Sequence, residues 1–251
     1  MGYVVLIPFL PALAFVLLAP LSNRARNRSI WVSVAAVVGS LALSIAMFLQ
    51  VWPGGVHGGE AVYHASLAFA HVGSTALSAG ILVDPVSAIM VVVVTLVGVA
   101  VQVYSVGYMH RDGRIGWYYA VLSLFTAAML TLVLADNFLQ LYMAWEVMGL
   151  CSYLLIGFWH EQEAPRKASI KAFLTTRVGD VGFVLGLAVM YVTAGTFDFA
   201  TVLHDFTWAP AAATTVALLL LFGAMGKSAQ VPLHVWLPDA MAGPTPASAL
   251  I

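Results

Sequence analysis

The chain alternates long apolar stretches with short polar ones. Seven stretches, 3–21, 29–51, 81–107, 116–134, 137–159, 168–194 and 212–236, approach or exceed the roughly 20 residues that a helix needs to cross a bilayer core. An eighth starts at about residue 245, and the sequence ends inside it. Only a helix or a closed barrel satisfies its backbone hydrogen bonds within hydrocarbon. The pattern therefore predicts an all-α fold, a polytopic transmembrane helix bundle of about seven spans plus the start of an eighth. Because the last apolar run is cut short, the chain reads as the N-terminal part of a longer protein. The opening "MGYVVLIPFLPALAFVLLAP" carries no basic residue ahead of its apolar run, unlike a cleavable signal peptide, so the first span is expected to be retained.

The polar segments orient the spans. Arg24, Arg26 and Arg28 follow span one, Arg111 and Arg114 follow span three, and Arg166, Lys167 and Lys171 open span six. The segments 52–80, 135–136 and 195–211 hold no Lys or Arg. Basic and bare loops thus alternate, and the positive-inside rule puts the N-terminus outside. The segment 52–80 reads as a long outer loop. Its His57, His64 and His71 are spaced by seven, which hints at a metal site, but no cysteine or carboxylate cluster accompanies them. A solvated loop with no metal ligand is the expectation. Asp84-Pro85 and Asp136-Asn137 read as helix caps at the outer surface, and Asp239 is expected at the inner surface.

Composition then closes off other classes. Of the 251 residues 62% are hydrophobic and 8% charged, with a mean hydropathy of +0.96. A soluble domain carries about 25% charged residues, so this surface is built for lipid. A net charge of −1 offers nothing to nucleic acid. The one cysteine, Cys151, lies in an apolar run and excludes an intrachain disulfide. Walker, GxGxxG, HExxH and CxxC motifs are all missing from the sequence, so no cofactor is expected on the chain itself.

Four charges remain inside spans, where each costs at least about 2.5–3.5 kcal/mol on insertion scales. Glu146 lies near the middle of span five, and at about 100° per residue Tyr142, Gly149 and Tyr153 share its face. In span six Arg177 and Asp180 are i, i+3 neighbours able to pair. Gly179, Gly182 and Gly186 lie roughly opposite, a small-residue face suited to close helix packing. Span seven, "LLLLFGAMGKSAQVPLHVWL", carries Lys227 with Gly223, Gln230 and His234 on its face. Pro232 removes a helix hydrogen bond, so this helix is expected to be discontinuous and its alignment beyond the break uncertain. His234 and Trp236 also suit an interfacial anchor. Buried charges of this kind either fix helix register as structural pairs or move protons, and for Arg177–Asp180 both readings stand. For Glu146 and Lys227 the functional reading is the stronger, because a desolvated lysine gives up its proton and an arginine does not. At an effective dielectric near 20, unit charges attract by about 4 kcal/mol at 4 Å and about half that at 8 Å. The difference is close to the roughly 2.3 kcal/mol that 100 mV supplies per charge.

With these residues in view, "VLADNFLQLYMAWEVMGLCSYLLIGFW", "KAFLTTRVGDVGFVLG" and "GAMGKSAQVPLHVWLPDAMAGPTPASALI" resemble the antiporter-like membrane subunits of respiratory complex I. "GILVDPVSAIM" and "YSVGYMHRDGR" are similar to the largest of them. The resemblance runs over essentially the whole chain. It implies a non-redox, proton-translocating subunit of an NADH–quinone oxidoreductase in a bacterial inner membrane. Its partners would be other membrane subunits, with NADH, flavin, iron–sulfur clusters and quinone handled elsewhere in the complex. It assigns the modulating glutamate to Glu146, the proton-carrying lysine to Lys227 and an ion-pair switch to Arg177 and Asp180, with Gln230 and His234 on a polar path. It also divides the chain into an N-terminal region, 1–115, and the first antiporter-like helix repeat, 116–251, truncated in its fifth helix. A multisubunit cation/proton antiporter shares these motifs and is the alternative. A seven-helix receptor fits the span count but not four charges on three successive spans. A purely structural subunit would tolerate loss of both Glu146 and Lys227.

Overall fold

The computed structural model describes residues 1–20, 26–52, 63–72 and 75–251; Arg24 and His57 lie outside them. A 3-10 turn, Gly2–Val5, leads into α1, Leu6–Leu18. After α2, Arg26–Val51, come two strands, β1, Tyr63–Val72, and β2, Thr75–Val83. The helices α3, Pro85–Tyr108, α4, Ile115–Val133, α5, Phe138–Ile156, α6, Glu163–Ala194, and α7, Pro210–Lys227, follow, and a short α8, Thr245–Leu250, ends the chain. Among the described residues six helices are long and apolar enough to cross a membrane, and Gly2–Leu18 is a shorter apolar one. The expected multi-pass helical bundle is present, with its first span the shortest.

Local chemistry sets the helix ends. Asp84 accepts from the Ser87 amide at 2.6 Å while Ser87 Oγ accepts from the Asp84 amide at 2.8 Å, a capping box with Pro85 in the first turn. At α5 the cap is Asn137, whose side chain accepts from the Gln140 amide at 2.8 Å; Asp136 is buried instead and has another task. Gly195, at φ +72°, ends α6 in the left-handed region that favours glycine.

The most enclosed helix is α4, which packs against α1, α2, α3 and α5. Tyr118, Tyr119, Leu122 and Leu130 are fully buried along it. Packing between helices in lipid uses small residues and shared hydroxyls rather than a hydrophobic drive. Accordingly Ser33 Oγ meets Ser123 Oγ at 2.6 Å and donates to the Tyr119 carbonyl at 3.2 Å. Tyr119 Oη donates to the Gln102 carbonyl at 2.7 Å. At one end of the bundle Arg114 ties the α3–α4 turn to Glu161 of the α5–α6 turn at 2.8 Å. A hydrogen bond from its own backbone, followed by the Arg114 charge, holds the Glu161 carboxyl below the usual range.

The supposed outer loop is corrected in its second half. Residues 63–72 and 75–83 pair as an antiparallel hairpin, from Tyr63↔Val83 to Val72↔Thr75, and span three starts at Pro85 rather than 81. The hairpin is fastened across the α4–α5 turn. Leu82 N–H donates to the Leu134 carbonyl at 3.0 Å, and the Gln140 amide brackets Gly80 through bonds of 2.7 and 2.9 Å. Buried Asp136 takes His64 Nε2 at 3.2 Å and Asn137 Nδ2 at 2.6 Å. His64 is therefore a tie between hairpin and helix end rather than a free loop residue.

Glycine sets the tightest helix contact. A methyl group at Gly179 of α6 would lie 3.0 Å from Gly226 Cα and 3.2 Å from the Phe222 carbonyl of α7. Backbone atoms cannot yield, so Gly179→Leu should lower the thermal stability of the assembled protein by the equivalent of about 1–3 kcal/mol or prevent assembly. Gly107→Leu, where nothing lies within 4 Å, should leave the melting temperature unchanged in the same assay.

Candidate functional site

Helices α5, α6 and α7 bring the four intramembrane charges together. The small-residue face read from span six does pack as expected. Gly179 and Gly226 meet backbone to backbone, and Gly182 and Gly186 receive Phe222, Leu219 and Leu220. This contact carries the last turn of α7 onto α6. On α5 the space left by Gly149 is filled by Lys227 Nζ. The glycine that shares a face with Glu146 is thus the seat of the lysine.

The pairing differs from the expected Glu146–Lys227 couple. Glu146 Oε2 is taken directly by Arg177 Nη1, while Lys227 Nζ faces Asp180 Oδ2 at 3.9 Å. The anticipated Arg177–Asp180 pair is present but loose, at 3.7 Å to the same Oδ2. Arginine stands between Glu146 and Lys227 because it starts one turn before Asp180 on the central helix and reaches toward α5. One oxygen of Asp180 is therefore shared between two cations. The side chains are largely enclosed, with exposures of 3% for Asp180, 14% for Lys227, 23% for Glu146 and 28% for Arg177. Glu146 Oε1, Asp180 Oδ2 and Arg177 Nε are buried without a hydrogen-bond partner. Unsatisfied buried groups are costly in a low dielectric, so this cluster is not a fully satisfied ion-pair network.

Aromatic rings line the cluster. Trp145 Nε1 donates to Asp180 Oδ1 at 2.7 Å, and Lys227 Nζ sits 5.8 Å from the centre of the same indole. The Arg177 guanidinium lies over Phe173 at 4.6 Å. Tyr142 packs on Phe183 at 5.5 Å and Tyr153 on Phe173 at 5.4 Å, so the face shared with Glu146 does turn toward α6.

The discontinuity in span seven falls earlier than Pro232. Helix α7 stops at Lys227, and Ala229 adopts φ +51°. Lys227 is the last helical residue rather than a mid-helix one. Beyond the helix end Gln230 and His234 no longer continue its face, and both are exposed within this chain. Trp236 is buried rather than an interfacial anchor, and its indole donates to the Gly226 carbonyl at 3.0 Å, satisfying an orphan acceptor of the helix end. The segment is anchored further on by Lys171 and Asp239 at 2.6 Å. Beside it a cavity of about 50 Å³ is lined by Gly149, Ser152, Tyr153, Thr176, Lys227 and Trp236, among others, enough room for water next to the ammonium. Among the described residues no three His, Cys, Asp or Glu side chains gather as a metal site.

Sequence reasoning missed Trp145 and read Trp236 only as an interfacial anchor. Both were open to one argument, that a buried indole N–H needs an acceptor.

Residues 135–251 match the family model described as the transmembrane region of NADH:quinone oxidoreductase/Mrp antiporter proteins. Residues 69–119 match that of the chain 5 N-terminus of NADH-ubiquinone oxidoreductase, complex I. A chloroplastic NAD(P)H-quinone oxidoreductase subunit 5 of Zygnema circumcarinatum is 43% identical over 99% of this chain and 37% of its own length. A Synechocystis NAD(P)H-quinone oxidoreductase chain 5 is 42% identical over 91% of this chain and 34% of its own. For a Rickettsia felis NADH-quinone oxidoreductase subunit L the values are 44%, 85% and 34%. The chain thus spans about a third of the length of these relatives. Among solved structures, a chain of the Mrp complex from a Dietzia species superposes with a TM-score of 0.81 at 30% identity, over 97% of this chain and 26% of that one.

The direct Arg177–Glu146 pair generates a stability test. Neutralising Arg177 leaves the Glu146 carboxylate without its ion-pair partner, and neutralising Glu146 leaves Arg177 only the looser Asp180 contact. Arg177→Gln and Glu146→Gln should each lower the melting temperature. The double variant should recover a coupling energy of about 1–3 kcal/mol in a thermodynamic cycle. Strictly additive losses would show that the pair is energetically idle.

Proposed function

The chain belongs to the NADH:quinone oxidoreductase/Mrp antiporter family of membrane subunits, and from that premise we propose that it translocates protons as a non-redox subunit of an NADH–quinone oxidoreductase. The observation that carries this reading is the seat of Lys227. A lysine at a broken helix end holds one loose carboxylate partner and adjoins a small cavity lined by Ser152, Tyr153 and Thr176. Such a group can take a proton from water and pass it on, which an arginine at the same place could not.

In this account Lys227 is the carrier, and its proton affinity follows the charges around it. With Glu146 engaged by Arg177, Asp180 is the carboxylate nearest to Lys227. If Arg177 swings from Glu146 toward Asp180, the lysine loses much of that attraction and releases its proton. If Arg177 returns, Lys227 reloads. The partner exchange requires movements of a few ångströms, the range over which the interaction changes by about 2 kcal/mol at an effective dielectric near 20. Gln230 and His234, outside the cluster, would serve only a later stage of the route. Electron transfer, with its flavin, iron–sulfur and quinone groups, would take place in partner subunits and drive the exchange mechanically. The orientation proposed is N-terminus outside, in a bacterial inner membrane, with Arg114, Arg166 and Lys171 on the inner side and the hairpin on the outer. Residues 1–115 would form an N-terminal unit and 116–251 the first part of the repeat that bears the site.

The Mrp-complex likeness favours a second reading, the large subunit of a cation/proton antiporter. Inverted membrane vesicles bearing the full-length protein in its complex separate the two. Lys227→Met should reduce acidification during NADH oxidation while the complex still assembles. Loss of only a sodium-driven response would establish the antiporter reading, and no change in either would make Lys227 structural.

A further inference from the structure

We propose that Trp145 is a positioning residue of this site, aiming Asp180 at the lysine and tying that aim to the position of Glu146; the inference rests on the proton-relay reading above. Asp180 has two oxygens with different company. Oδ1 accepts the Trp145 indole N–H at 2.7 Å, and Oδ2 has no hydrogen bond but faces Arg177 at 3.7 Å and Lys227 at 3.9 Å. An indole nitrogen can only donate. It cannot take a proton from the carboxylate or turn over to accept one. Occupying Oδ1 in this way fixes the plane of the carboxylate and leaves Oδ2 as the one oxygen for which the two cations compete.

The indole is itself held. Phe183 packs against it at 5.4 Å, and Phe183 also takes Tyr142 at 5.5 Å. Its face lies under Lys227 Nζ at 5.8 Å, within the range where an ammonium is attracted and a neutral amine is not. One side chain therefore touches both members of the looser pair. The charged groups that meet it from the packed helices are Asp180 of α6 and Lys227 of α7, while Glu146, its neighbour on α5, and Arg177 form the adjoining pair.

Coupling follows from chain position. Trp145 precedes Glu146 on α5, so a shift of α5 relative to α6 moves two contacts at once: Glu146 on Arg177 and the indole N–H on Asp180. The residue converts displacement of one helix into a simultaneous change at both ion pairs. A structural tryptophan would fill the same volume without needing the N–H.

The test uses the assembled complex in inverted vesicles and compares replacements at position 145 with Lys227→Met. Trp145→Phe keeps an aromatic face, and benzothienylalanine at the same position keeps the full bicyclic ring; neither has the N–H. A ring-fluorinated tryptophan keeps it. The proposal expects both N–H-less forms to assemble and reduce quinone, yet to lose NADH-driven acidification down to the Lys227→Met level. It also expects them to shift the infrared carboxylate band of isotope-labelled Asp180, while the fluorinated form retains wild-type values of both. Unchanged acidification and an unchanged Asp180 band with benzothienylalanine would overturn it, as would an equal loss with the fluorinated ring. If Lys227→Met itself leaves acidification intact, the relay reading fails. The Asp180 band then decides the positioning role alone, with a shift supporting it and no shift ending it.

Discussion

The approach of Gly179 to Gly226 is the contact on which the rest of the site depends. It allows α7 to run close along α6, so that the last residue of α7 reaches a carboxylate buried in the middle of the bundle. Any side chain at either glycine would hold the helices apart and leave Lys227 without a counter-charge in an apolar surrounding. A charge stranded there is costly, whereas one near a shared carboxylate is tolerable. The glycine face and the charged cluster, which look like separate features of one helix, are two consequences of a single packing decision.

The arrangement of charges is asymmetric in a useful way. Arg177 is bound firmly to Glu146, and Asp180 is bound firmly only through its neutral indole donor. The interaction between Asp180 and Lys227 is the loosest of the set, at 3.9 Å without a hydrogen bond. On the proposed reading that looseness is functional, because a carrier must both gain and lose its proton within the available driving force. The broken end of α7 contributes in the same direction. Trp236 satisfies the Gly226 carbonyl, which lets the helix stop inside the protein and leaves the ammonium beside a small cavity that includes the hydroxyls of Ser152, Tyr153 and Thr176.

Much of this was legible in the residues. Helical periodicity and apolar length located the spans, since a bilayer imposes its thickness on every crossing. The charges in those spans could not be missed, and their i, i+3 and i, i+4 offsets put Gly149 on the face of Glu146. Who pairs with whom was not legible. Offsets along one helix do not say how far a long guanidinium reaches toward its neighbour, and Arg177 intercepted the carboxylate expected to face Lys227. The break in span seven was placed at Pro232 because proline is a visible signal. The chain in fact turns at Ala229, where no residue type announces it. The hairpin was hidden by its histidines and small residues, although Tyr63, Ala65, Leu67 and Phe69 already alternate with more polar or smaller neighbours.

The central claim is that Lys227 must release its proton rather than merely carry charge. Lys227→Arg in the full-length, assembled complex tests it most directly, because it preserves the positive charge and can still reach Asp180. NADH-driven acidification of inverted vesicles would be followed alongside quinone reduction and assembly. The account predicts that acidification falls with Lys227→Arg although the complex is intact. Acidification at the wild-type level with arginine in place would contradict it.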